Sequence, residues 1–144
     1  MAEEKQEPQK YYSVAEAEAL IPELTRIMEG VMPAHSEAQR IQAELREEQR
    51  RIMIAGGTLV SVDAWRERTG RLQGLTREVQ DGLASIARLG GAPKDLGMGL
   101  VDFPFLLEGE EVNLCWRFGE KKIRFWHGLD EGFAGRKPIP EELR

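Results

Sequence analysis

The chain has 144 residues, 41% of them apolar and 31% charged, a balance typical of a globular protein with one domain. Its net charge of −5 argues against a basic surface for nucleic acid. No apolar run approaches the ~18 residues that span a membrane, and the polar start does not resemble a signal peptide. The single cysteine, Cys115, excludes an intramolecular disulfide. We expect a cytoplasmic protein that binds neither nucleic acid nor membranes.

The first half of the chain carries the pattern of a long helix. Residues 1–10 are expected to be a disordered lead-in to a single domain over 11–144. Ser13 and Glu16 form an S-x-x-E capping box, which predicts a helix from Val14. Its apolar positions alternate in steps of four and three, a coiled-coil seam: Leu20, Leu24, Ile27, Val31, Ala34, Ala38, Ile41 and Leu45. Pro22 and Pro33 predict kinks or breaks.

A second helix is predicted to fold back on the first. The stretch 55–58 is a stop signal, and Ser61 or Asp63 begins the next helix, which ends at the glycines before Pro93. Because the loop is short, residues 11–92 should form an antiparallel helical hairpin. Two helices leave several apolar positions without partners, so we expect a homodimer through this hairpin.

Beyond Pro93 the apolar period changes from 3.6 to 2, which predicts a β-rich tail over 93–144 packed on the hairpin. A turn at 119–122 would place Phe118 opposite Ile123, and that register puts Cys115 and His127 on opposite faces. A third strand is predicted over residues 100–107, restricted to an edge of the sheet by Pro104. The predicted fold class is α+β, mainly α, with two or three antiparallel strands.

The chain resembles the bacterial and archaeal family DUF2203 over nearly its whole length. The resemblance rests on four segments: Tyr12-Ser13-Val14-Ala15-Glu16-Ala17, Gly99-Leu100-Val101-Asp102-Phe103-Pro104, Leu114-Cys115-Trp116-Arg117-Phe118-Gly119-Glu120 and Trp126-His127-Gly128-Leu129-Asp130-Glu131-Gly132-Phe133-Ala134-Gly135-Arg136. It implies no activity, and it marks the tail as the distinctive part of the molecule.

The tail holds residue types that ligate zinc or iron: Asp102, Cys115, Glu120, His127 and Asp130. Their spacing matches no known metal motif. With the predicted register, only Asp102, His127 and Asp130 can converge. The alternative is that His127 packs in the core and Asp130 shapes a turn.

Cys115 and Arg136 have two interpretations each. Cys115 is a candidate reactive thiol if a cation lies near it, and otherwise a small buried hydrophobe. Arg136 follows a glycine-flanked segment and can hold an anion or an internal carboxylate.

No catalytic motif is present, so the sequence favours a non-catalytic scaffold or interaction module, with a homodimer and an unidentified protein as partners. The alternative is a small-ligand or metal-binding protein with its site in the tail, at Asp102, Glu120, His127, Asp130 and Arg136. An enzyme using that site is a third hypothesis, without a reaction to assign. We predict no cofactor, with a divalent metal as the open alternative.

Overall fold

The computed structural model describes residues 10–56 and 61–144. Three α-helices come first, α1 (Val14–Ala19), α2 (Ile21–Ile54) and α3 (Val62–Arg88). A five-stranded sheet follows, formed by β1 (Ala92–Asp95), β2 (Leu100–Leu107), β3 (Glu110–Arg117), β4 (Phe125–His127) and β5 (Lys137–Pro138). The predicted fold class is therefore confirmed, with more strands than expected. The predicted lead-in, except for residue 10, and the second half of the predicted stop signal at 55–58 lie outside the described residues.

The helices α1 and α3 begin with the capping interactions that their sequences predict. The Ser13 hydroxyl accepts from the backbone N–H of Glu16, whose carboxylate accepts from the N–H of Ser13. At the start of α3 the Ser61 hydroxyl accepts from the backbone N–H of Ala64, which is a simple N-cap without a reciprocal side chain. A break separates α1 from α2 just before Pro22, as predicted. At Pro33 a kink or a break was predicted, and a break does not occur, since α2 continues through this residue with Val31 and Ala34 buried on either side.

The two long helices pack together as the predicted hairpin. A glycine makes the closest approach, since a Cβ at Gly82 would lie 2.2 Å from a methyl group of Val31. In the part of α2 beyond Ile41, none of the described residues is buried. The hairpin therefore contributes to the core mainly through its base and projects its distal half away from the sheet. None of the described helices is long and apolar enough to cross a membrane.

The sheet is antiparallel in the order β1-β2-β3-β4-β5. A two-residue turn joins β2 to β3 with positive φ at both Glu108 and Gly109, the geometry whose twist suits a hairpin. It fixes Asp102 opposite Cys115. β2 lies between β1 and β3, so its prediction as an edge strand is wrong. Even so, Pro104 lies beyond the last residue that pairs with β1.

The predicted register of the next hairpin is also wrong, by one residue. Cys115 pairs with Phe125, and Asn113 pairs with His127. The cause is the connection, in which the N–H of Ile123 donates to the Glu18 carboxylate of α1 at 3.0 Å instead of entering the ladder. Since side chains alternate along a strand, a one-residue slip moves each of them to the other face.

The sheet therefore has two different faces. The inner face packs on the base of the helical hairpin, in a core that includes Val101, Phe103, Leu114 and Trp116. The opposite face, called the outer face below, carries Asp102, Asn113, Cys115, Phe125 and His127.

Candidate metal centre

Three buried side chains converge on the outer face. Asp102 on β2, Cys115 on β3 and His127 on β4 each offer one ligand atom, and these atoms lie within 4.8 Å of one another. The side chains come from three adjacent strands, so backbone hydrogen bonds fix their spacing. Exposure is 2% for Asp102, 1% for Cys115 and 2% for His127. This is the grouping that the predicted register excluded.

Both ring nitrogens of His127 lie within hydrogen-bond distance of an oxygen atom. Its Nδ1 lies 2.8 Å from the carbonyl oxygen of Gly128, which can only accept, so Nδ1 carries the hydrogen. Its Nε2 lies 3.0 Å from Oδ2 of Asp102. In this tautomer the Nε2 lone pair of a neutral ring faces a carboxylate oxygen. Two acceptors so close require a proton or a metal ion to join them.

The Asp102 carboxylate is only partly satisfied. Its Oδ2 contacts His127, while Oδ1 is buried and has no hydrogen-bond partner within the described residues. A buried polar atom without a partner costs about 1–3 kcal/mol, and more when it is charged. A buried carboxylate oxygen that has no partner, beside a thiol and an imidazole, is the arrangement expected of a site that binds a cation.

The surroundings of Cys115 raise the pKa of its thiol rather than lower it. Burial raises its pKa to about 12, and the negative charge of Asp102 adds to the effect. The opposing influence of the Arg136 guanidinium is smaller. A nucleophile needs a depressed pKa, so the geometry argues against nucleophilic catalysis. A metal ion would change this balance, because a coordinated thiol is deprotonated outright.

The connection between β4 and β5 covers the cluster. Arg136 is 11% exposed at its side chain, and its Nη2 donates to the Cys115 carbonyl at 3.0 Å and to the Glu120 carboxylate at 2.6 Å. The guanidinium also lies over the rings of Phe125 and Phe133. These contacts fix the connection over the outer face.

A cavity of about 300 Å³ opens beside the cluster. All three side chains line it, together with Lys94 of β1 and Asn113 of β3. A site with three protein ligands and an adjacent opening has the form of a metal centre with a free coordination position.

A larger hollow of about 730 Å³ lies along the distal hairpin. The charged residues around it already pair with one another, as Arg40 does with Glu44 and Arg68 with Glu48. It therefore lacks the buried polar groups that mark a binding site, and the smaller cavity is the better candidate.

Not all of the predicted site residues converge. Asp102 and His127 lie together, and Cys115 joins them as a ligand candidate. Glu120 and Arg136 neutralise each other behind the cluster. Asp130 is exposed and does not line the cavity.

Sequence reasoning missed Lys94 and Asn113. Asn113 stands two residues before Cys115 in the alternating pattern, so strand periodicity was an available signal for it. Lys94 lies on β1, a strand that the sequence analysis did not predict, so no comparable signal was available for it.

A family model agrees with the resemblance found in the sequence. The model described as an uncharacterized conserved protein, DUF2203, matches residues 10–139, which include the whole cluster. No curated protein and no solved structure matches the chain. The comparisons therefore identify the family of the chain but assign no activity to it.

Proposed function

We propose that this chain, which belongs to the DUF2203 family, is a metal-binding protein that holds a zinc-like divalent ion between Asp102, Cys115 and His127. The observation that carries the proposal is the convergence of three buried ligand atoms within 4.8 Å, beside an Asp102 Oδ1 that has no hydrogen-bond partner among the described residues. Because Nδ1 of His127 donates to a carbonyl, a proton or a cation must join its Nε2 to the Asp102 carboxylate. A proton serves only these two groups, whereas a cation also takes the sulfur of Cys115 as a ligand.

The distances between the ligand atoms and the charges of the ligands also support a zinc-like divalent ion. Ligand atoms around a tetrahedral zinc ion lie roughly 3.6 Å apart, given bonds of about 2.0–2.3 Å. The three atoms here lie within 4.8 Å, so small side-chain movements suffice. A thiolate and a carboxylate cancel the charge of a divalent ion, which lowers the cost of burying it.

The ligand types narrow the choice of metal. A thiolate with an imidazole favours zinc over magnesium or calcium, which prefer oxygen ligands. The hydrogen bond from Nδ1 of His127 to a backbone carbonyl is the usual support for a metal-bound histidine. Such a centre needs a reduced cysteine, so we assign the protein to the reducing cytoplasm.

Elemental analysis of untagged protein tests the proposal, after equilibration with zinc and removal of excess metal. We expect one zinc ion per chain in the wild type and almost none in His127→Ala. The chain offers a matched control in its second histidine, because His35 lies on α2, outside the cluster. His35→Ala should keep the full zinc content. Equal zinc in all three proteins would refute the proposal, provided that circular dichroism shows each to be folded.

A second function, self-association, is supported by the end of the hairpin. Four exposed apolar side chains, called the tip patch, lie there: Met53, Ile54, Val62 and Trp65, with exposures of 77%, 76%, 56% and 47%. The seam residues Leu45 and Leu72 are only half-buried by the helix pair. We propose that a second copy covers this region, forming a homodimer with coiled-coil packing.

Light scattering measures the dimer directly. The double variant Met53→Glu/Trp65→Glu should shift a dimer toward monomer, since it places charges in the buried interface. Leu106→Glu is the control, because Leu106 is similarly exposed (45%) but lies on β2. A wild-type monomer over the accessible concentration range would refute self-association and leave the metal proposal intact.

A further inference from the structure

The cavity beside the cluster is divided into polar and apolar parts. Lys94 and Asn113 supply polar donors, while Met98, Leu129 and Phe133 supply apolar wall. Its volume of about 300 Å³ is at the low end of ligand pockets, which run from about 300 to 1,000 Å³. Only a ligand with few heavy atoms fits such a space.

Apart from Asp102, the two acidic side chains that line the cavity already accept hydrogen bonds. Oδ1 of Asp95 accepts from the backbone N–H of Met98 at 2.9 Å. The Glu131 carboxylate accepts from the N–H of Gly128 at 3.1 Å and from the Lys137 ammonium at 2.8 Å. The Lys137 ammonium lowers the pKa of Glu131, so that carboxyl stays ionised within its own ion pair.

Lys94, in contrast, has no ion pair among the described residues. It sits where the pairing of β1 with β2 shifts register, between Pro93 and Asp95. Side-chain alternation places Lys94 on the same face of the sheet as Ala92, which pairs with Asp102 of the cluster. Lys94 therefore lines the cavity as a cation without an ion pair among the described residues, and β-bulges occur often beside functional sites.

Resting on the proposed metal centre, we infer that the cavity binds a small organic carboxylate with a short apolar tail. One carboxylate oxygen takes the free position on the metal, and the group pairs with Lys94. The Asn113 amide donates to the second oxygen, and the tail packs on Leu129 and Phe133.

Coordination chemistry favours an anion over a cation in this cavity. The ion and its two anionic ligands, Asp102 and Cys115, sum to zero, and the charges of Lys94 and Asp95, which both line the cavity, are opposite. A carboxylate offers a lone pair to the metal and pairs with Lys94, whereas an ammonium ligand has no lone pair for the metal.

Cobalt(II) in place of zinc gives an optical test, since its absorption bands depend on the number and kind of its ligands. Thiolate-to-cobalt absorption first establishes that the centre has formed. Butyrate, acetate and butylammonium are then titrated separately. We expect butyrate to change the cobalt bands saturably, and acetate to bind about 15-fold more weakly because it lacks two methylene groups. Butylammonium should leave the bands unchanged.

Lys94→Met identifies the recognising cation. We expect it to weaken butyrate binding by about threefold to tenfold while the cobalt bands without ligand stay the same. Lys121→Met is the matched control, because Lys121 is an exposed lysine that does not line the cavity. It should bind butyrate like the wild type.

The outcomes separate the two proposals. Cobalt binding without a response to butyrate overturns the carboxylate inference and leaves the metal centre standing. An equal response to butylammonium, or full butyrate affinity in Lys94→Met, also overturns the inference. Absence of thiolate-to-cobalt absorption overturns the metal centre and this inference with it.

Discussion

Replacing Cys115 with alanine should separate metal binding from folding. The side chain is 1% exposed, and deleting its sulfur removes one buried group, which costs roughly 1 kcal/mol. For a chain of 144 residues, 1 kcal/mol corresponds to a change in Tm of roughly 3 °C. The metal-free variant should therefore remain folded, with a Tm about 3 °C below that of the wild type.

Zinc should stabilise the wild type more than Cys115→Ala. At a free concentration 100 times its Kd, zinc stabilises the wild type by about 2.7 kcal/mol, or roughly 8 °C. If the loss of one of three ligands weakens binding about 100-fold, the same concentration gives Cys115→Ala only about 0.4 kcal/mol, or roughly 1 °C.

Thermal melts in chelator and in buffered zinc, followed by circular dichroism, measure both quantities. His35→Ala serves as a control that should gain as much as the wild type. A zinc-induced rise in Cys115→Ala equal to that of the wild type would refute the assignment of this thiol as a ligand.

Three further predictions concern proton release on zinc binding, the contact between the two long helices and the ion pair of Arg136. Because the pKa of Cys115 is about 12, its thiol is protonated at neutral pH and must release its proton to bind. Zinc affinity should therefore rise about tenfold per pH unit where no other ligand titrates, and calorimetry in two buffers should detect the proton; a pH-independent affinity would contradict this. Gly82→Ala should lose about 1–3 kcal/mol of stability through its clash across the hairpin, whereas Gly74→Ala, with open space around it, should gain about 0.5–1 kcal/mol. Denaturant unfolding compares these two, and equal effects would refute the close approach. Arg136→Met should cost about 2–3 kcal/mol, because it leaves a half-buried carboxylate unpaired. Lys137→Met should change unfolding little, since its ion pair is exposed, and a similar loss in both variants would argue against the anchoring role of Arg136.

The helices were predictable because their signals are local. Ser13 and Glu16 lie three residues apart and complete each other's hydrogen bonds within one turn. The apolar seam is likewise a property of neighbouring residues. The helix does not break at Pro33, because burial on both sides of it outweighs the lost hydrogen bond, and burial depends on the tertiary structure.

The candidate site was predictable only in part, because it depends on a register that a distant residue sets. Residue types alone identified Asp102, Cys115 and His127 as possible ligands. Their convergence depends on Ile123, whose N–H is taken by Glu18, 105 residues away in the sequence. A tight turn at 119–122 was the simplest local solution, and it placed the imidazole of His127 on the wrong face. Sequence periodicity gives the alternation of a strand but not its register.

Anomalous diffraction at the zinc edge, from crystals of zinc-loaded protein, tests the central claim most directly. If zinc binds at the proposed site, one strong peak lies on the outer face, about 2.3 Å from Sγ of Cys115 and about 2.0–2.2 Å from Nε2 of His127 and an oxygen of Asp102. A peak at exposed carboxylates instead, with the three side chains unchanged, would contradict it.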